Sequence, residues 1–107
     1  MKQQLIAVAV VAAAAAAAAV PAFAATKTVR VDDNVFGPRS TAVKKNDTIR
    51  FRWVGDAPHN VQRTRGPSFR TISTRRNGSV SRKFTRKGLV KLTCTIHPGM
   101  DLSVRVR

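Results

Sequence analysis

The segment Thr48-Ile49-Arg50-Phe51-Arg52-Trp53 alternates polar and apolar residues without a break. A period of two puts Ile49, Phe51 and Trp53 on one side of an extended chain and the other three on the opposite side. A helix would scatter both sets around its circumference, so this stretch requires a strand with a core against one face and water against the other. Residues 27–31, 80–84, 89–94 and 102–107 carry the same alternation. Turn signals separate them: Asp32-Asp33-Asn34, Gly37-Pro38, Lys45-Asn46-Asp47, Gly66-Pro67, Asn77-Gly78 and Lys87-Gly88. Gly55-Asp56-Ala57-Pro58 ends the clearest strand, and His59-Asn60-Val61 begins another. From residue 62 to 78 the pattern is weak and places no strand. No helical period occurs after residue 25. About six to eight short strands with frequent turns predict an all-β fold, a β-sandwich.

The chain opens differently. Residues 1–4 carry Lys2, residues 5–20 are an unbroken, Ala-rich apolar run, Pro21 ends it, and Ala22-Phe23-Ala24 offers a small-x-small cleavage pattern. That order predicts a cleavable secretory signal peptide over residues 1–24, cut after Ala24. The competing reading is a retained anchor, but the run is shorter than the span of about 20 residues a bilayer needs. Residues 25–107 are then one domain, periplasmic or otherwise exported. A domain this small has a limited core and often needs a staple. Export favours cystines, yet the chain has one Cys, which can form no internal disulfide. An exported lone thiol points to intermolecular pairing, a reactive thiol or a metal.

Beyond residue 24 the chain contains one Cys, two His and one Met: Cys94, His59, His97 and Met100. Three of them fall in Cys94-Thr95-Ile96-His97-Pro98-Gly99-Met100, and His59 follows the break after Trp53. Singly, each has an ordinary explanation: a buried thiol, a core methionine, a surface histidine. Together they make a set of two imidazoles, one thiolate and one thioether, the donor set of a blue-copper electron-transfer site. Soft sulfur suits Cu(I), and imidazole also suits Cu(II). Zinc is the chemical competitor, but it favours closed Cys/His sets and rarely takes a thioether. A Cys–His nucleophile pair is the catalytic competitor. No oxyanion or acid–base constellation accompanies it, and the five carboxylates sit in expected turns. The chain therefore does not read as an enzyme.

The loop from Cys94 to Met100 resembles the ligand loop of the cupredoxins, the small blue copper proteins, of the amicyanin and plastocyanin type. Pro58-His59-Asn60-Val61 resembles their upstream His-Asn segment, and Asn34-Val35-Phe36-Gly37-Pro38, Lys45-Asn46-Asp47-Thr48-Ile49 and Phe51-Arg52-Trp53 resemble their opening strands. The resemblance spans about residues 26–107. It implies a plastocyanin-like Greek-key β-sandwich over residues 25–107 with one copper ion per chain near one end. It implies His59, Cys94 and His97 as equatorial ligands and Met100 as axial ligand. Asn60 would tie the two ligand loops together and hydrogen-bond around the thiolate. It also implies that electrons leave past the downstream histidine, through an apolar patch to which Ala57, Pro58, Pro98 and Gly99 could contribute. Two roles fit: a soluble one-electron carrier, or a copper-binding protein for storage, delivery or resistance.

The charge departs from that pattern. Twenty Lys and Arg against five acids leave a formal net charge of +15, and residues 57–100 contain no acid. Such a surface either keeps a monomer soluble, steers it to acidic redox partner proteins, or holds it at an anionic membrane surface. Nucleic acid is excluded as a partner by the lack of a recognition helix and by export.

Overall fold

Alternating strands can bury their apolar faces only against one another, and here they do so as two sheets. The computed structural model describes residues 23–107, so the expected signal peptide lies, up to residue 22, outside the described residues. Among them are nine strands and no helix. One sheet has the order β2-β1-β4-β7, with β1 (Thr26–Asp32) parallel to β4 (Thr48–Trp53), and β2 (Val35–Gly37) and β7 (Ser79–Lys83) at its edges. The other runs β3-β9-β8-β5-β6, from β3 (Ser40–Val43), β9 (Asp101–Val106), β8 (Gly88–Thr93), β5 (His59–Arg65) and β6 (Ile72–Arg75). The chain crosses between the sheets repeatedly, which makes β1/β4 and β3/β9 parallel pairs while the other neighbours are antiparallel. This is the expected all-β sandwich.

The core lies where the period predicts. Ile49 and Phe51 are fully buried and Trp53 nearly so, while Arg50 and Arg52 are exposed. Val90 and Leu92 of β8 and Leu102 and Val104 of β9 face them across the gap. Burying a side chain of this kind contributes about 1.5–3 kcal/mol. Phe69, from the segment between β5 and β6, plugs the open side: its ring meets Phe51 edge-on at 6.0 Å and Phe84 at 5.8 Å. Beside it, the guanidinium of Arg82 on β7 donates to the carbonyls of Arg70 and Thr71, linking the two sheets.

Three strands, β2, β3 and β6, and the latter part of β5 lay hidden from the alternation, so residues 62–78, where no strand was expected, hold the end of β5 and all of β6. In β5 only His59, Asn60 and Val61 are buried and the last four residues are all exposed. The register shifts between His59 and Val61 against β6 and again between Arg63 and Arg65 against β8, and a bulged strand cannot keep a period of two. β3 has a single buried residue, Val43.

The register separates the two ends of the sandwich. At the far end, buried Asp47 accepts N–H bonds from Ala25 and Lys44 at 2.8 Å each, and Asn46 takes a φ of 75° to make the turn. At the near end, the tops of β1, β4, β5 and β8 converge.

Candidate metal centre

Cys94 directly follows β8 and Met100 directly precedes β9, so the seven-residue segment between the strands is a closed loop. Cys94 N–H donates to the Met100 carbonyl at 3.0 Å, and Met100 N–H to the His97 carbonyl at 3.2 Å. The Thr93 hydroxyl donates to the same Met100 carbonyl. The loop therefore turns back on its own base. Cys94 and Met100 are buried at that base, and His97 stays half-buried at the outer curve.

His59 arrives from the other side. Trp53 closes β4, five residues form a loop, and the Trp53 indole N–H then donates to the His59 carbonyl at 3.1 Å. The Arg75 guanidinium lies 5.6 Å from the centroid of the indole ring, and Arg75 pairs with His59 across β5 and β6. His59 is wholly buried.

The three donor atoms converge. His59 Nδ1 and His97 Nδ1 are 3.0 Å apart, and Cys94 Sγ lies 3.5 Å from the His97 nitrogen and 3.9 Å from that of His59. Bonds of about 2.0 Å to imidazole and about 2.3 Å to thiolate, splayed by about 100–120°, set N–N edges of about 3.1–3.5 Å and N–S edges of about 3.3–3.7 Å. The observed triangle lies within a few tenths of an ångström of those values. One metal ion fits among the three atoms, with the buried Met100 beside them.

Asn60 links the two ligand-bearing segments. Its Oδ1 accepts the Thr95 N–H at 2.9 Å and its Nδ2 donates to the Thr95 hydroxyl at 2.8 Å, with a longer 3.4 Å contact to Thr74. The residue after His59 is thus bonded to the residue after Cys94. Next to the ligands along the chain, Ala57 and Pro58 are half-buried, Pro98 and Gly99 are exposed, and Ile96 is 47% exposed.

Residue-by-residue reading of the sequence passed over Asp33. Its carboxylate accepts the N–H groups of Asp56 at 3.1 Å and Ala57 at 2.9 Å, and stands 3.0 Å from His59 Nε2. The Ala57 N–H chiefly, then that of Asp56 and the His59 ring, lower its pKa to about 2. Its only signal was membership in a turn-forming triplet, which says nothing about a partner 26 residues away.

No protein-family model matches this chain, and no curated protein does. Solved structures do. A purple cupredoxin from Nitrosopumilus maritimus superposes with a TM-score of 0.69 at 15% identity, over 76% of this chain and 99% of that one. A proline-to-glycine variant of amicyanin, in its reduced Cu(I) form at pH 4, superposes at 0.68 with 25% identity, over 85% of this chain and 89% of that one. The chain has the cupredoxin fold, with a donor set that suits a copper site. The chain also matches a copper-containing nitrite reductase from Thermus scotoductus SA-01, with a TM-score of 0.66 and 20% identity. That match covers 82% of this chain but 23% of the reductase, so the likeness is to one part of a larger enzyme. The cluster of His59, Cys94, His97 and Met100 can bind one copper ion.

Proposed function

We propose that this cupredoxin is a soluble, exported one-electron carrier, with His59, Cys94 and His97 as equatorial ligands and Met100 as axial ligand of one copper. The observation that carries the reading is the convergence of two imidazole nitrogens and one buried thiol within 4.8 Å of one another, in a chain whose one Cys can form no internal disulfide. Copper, when bound, supplies a one-electron Cu(I)/Cu(II) couple.

The protein's own groups do the rest. Two strands and two short loops hold the donors, so the ligand geometry changes little between oxidation states. Burial of Cys94 and His59 keeps water from the thiolate. The half-buried ring of His97, bordered by exposed Ile96, Pro98 and Gly99, is the contact point for a redox partner. The basic surface favours an acidic partner over a neutral one, through steering at long range. Residues 1–24 serve as the signal peptide in this reading, and β1 begins at Thr26, just past the proposed cut.

Absorption and paramagnetic-resonance spectra of the copper-loaded domain test the assignment. The expected result is an intense blue thiolate-to-copper band that ascorbate bleaches reversibly. A colourless protein that yields its copper readily to a chelator would instead support storage or delivery. Electron-transfer rates with an acidic partner should fall steeply between about 0.01 and 0.1 M salt, where the Debye length shrinks from about 30 to 10 Å; a flat response removes the steering.

A further inference from the structure

We propose that Asp33 is a positioning residue for the metal centre: from the β1–β2 turn its carboxylate orients the His59 ring and directs a negative charge at the copper. The inference rests on the copper reading above.

His59 is fully buried, so water cannot satisfy its Nε2–H. Asp33 Oδ1, at 3.0 Å, does so. A carboxylate only accepts, so the proton of the neutral ring resides on Nε2 and the lone pair on Nδ1. Nδ1 is the nitrogen that faces Cys94 and His97. The same contact therefore selects the tautomer and the rotation of the ring.

The carboxylate itself is held. Oδ1 also accepts the Ala57 N–H and Oδ2 accepts the Asp56 N–H, so rotation of Asp33 would break both. The loop that makes these bonds needs Gly55. A Cβ built there would fall 2.8 Å from the Asp33 backbone nitrogen and closer still to its carboxylate. The two-residue turn that presents Asp33 has Asn34 at a φ of 62°, a conformation asparagine tolerates. No Lys or Arg neutralises Asp33: among the described residues its one ion-pairing contact is with His59, whereas neighbouring Asp32 pairs with Arg30. The charge of Asp33 therefore acts on the imidazole and on whatever the imidazole binds. Carboxylate partners of this kind raise ligand basicity and fix ring orientation.

Three variants test it: Asp33→Ala, Asp33→Asn, and Asp32→Asn as a control that removes the same charge one residue away. Cu(II) and Cu(I) affinities are measured by chelator competition, together with the reduction potential, the paramagnetic-resonance spectrum and the melting of the copper-free protein. Asp33→Ala is expected to weaken Cu(II) binding by about 10–100-fold and Cu(I) binding less. The potential then rises by about 59 mV for each tenfold change in the affinity ratio. Asp33→Asn retains an acceptor oxygen and should recover the wild-type spectrum while keeping the raised potential. Asp32→Asn should change neither. A purely structural role predicts lower melting of the copper-free protein with unchanged potential, and that result overturns the proposal. If Asp33→Ala does not fold, Asp33→Asn decides: a potential equal to that of Asp32→Asn sinks the inference. A wild-type domain without the blue band overturns the copper reading and this inference together.

Discussion

Replacing Asn60 by Ala cuts the two short hydrogen bonds that join the segments bearing His59 and Cys94. The Thr95 N–H bond at 2.9 Å and the Thr95 hydroxyl bond at 2.8 Å each contribute a net of about 1 kcal/mol. The 3.4 Å contact to Thr74 adds little. Thr95 is exposed, so water re-satisfies its freed groups and no buried orphan enlarges the loss. The expected cost is about 2 kcal/mol, out of roughly 4–12 kcal/mol for a domain of this size. That corresponds to a melting temperature lower by about 8–16 °C. Urea unfolding of copper-free protein measures it. A double-mutant cycle with Thr95→Ala separates the two bonds, because that change removes the hydroxyl and leaves the backbone N–H. The cycle should return a coupling of about 1 kcal/mol. A loss below about 0.5 kcal/mol for Asn60→Ala, or a coupling near zero, would refute the idea that these bonds clamp the loops together.

Phe51 is fully buried at the centre of its sheet and edge-on to Phe69, so Phe51→Ala should cost about 3–5 kcal/mol, measured by urea unfolding. Met100→Leu should keep the blue band and shift the potential, since the thiolate remains while a soft donor is lost; Cys94→Ser should abolish the band. Stability should fall in acid partly through Asp47, whose pKa is lowered chiefly by the Ala25 N–H and then by the Lys44 N–H. A lowered folded pKa means that its contribution is complete above the unfolded value of about 3.9 and is lost as pH falls through the folded value. Asp47→Asn should therefore flatten the acid limb of a melting-versus-pH curve below about pH 4 and lower stability at neutral pH. Copper should raise the melting temperature, because it binds the folded domain; equal melting with and without copper would contradict a preformed site.

Strands β4, β8 and β9 were readable because each has one face in the core and one in water, which imprints a period of two on the sequence. β5 was half readable: His59, Asn60 and Val61 are buried, but the four residues beyond them are all exposed and the register shifts between Arg63 and Arg65, which erases the alternation. The four donors were readable for a different reason. Residues able to donate sulfur or imidazole are so few after residue 24 that the set declares itself by type. Ile96 escaped notice at the rim of the loop, since an exposed apolar residue leaves no pattern.

Local chemistry and periodicity, then, settled that this is a small β-sandwich with a two-nitrogen, two-sulfur donor set. Whether those donors could meet depended on the crossovers that bring the top of β5 beside the loop after β8, a contact between residues 35 apart. The role of Asp33 depended on folding still more. A turn aspartate acquires a histidine partner only when β1 lies against β4 and the loop over Gly55 closes on it, because a hydrogen bond is set by distance and direction in space.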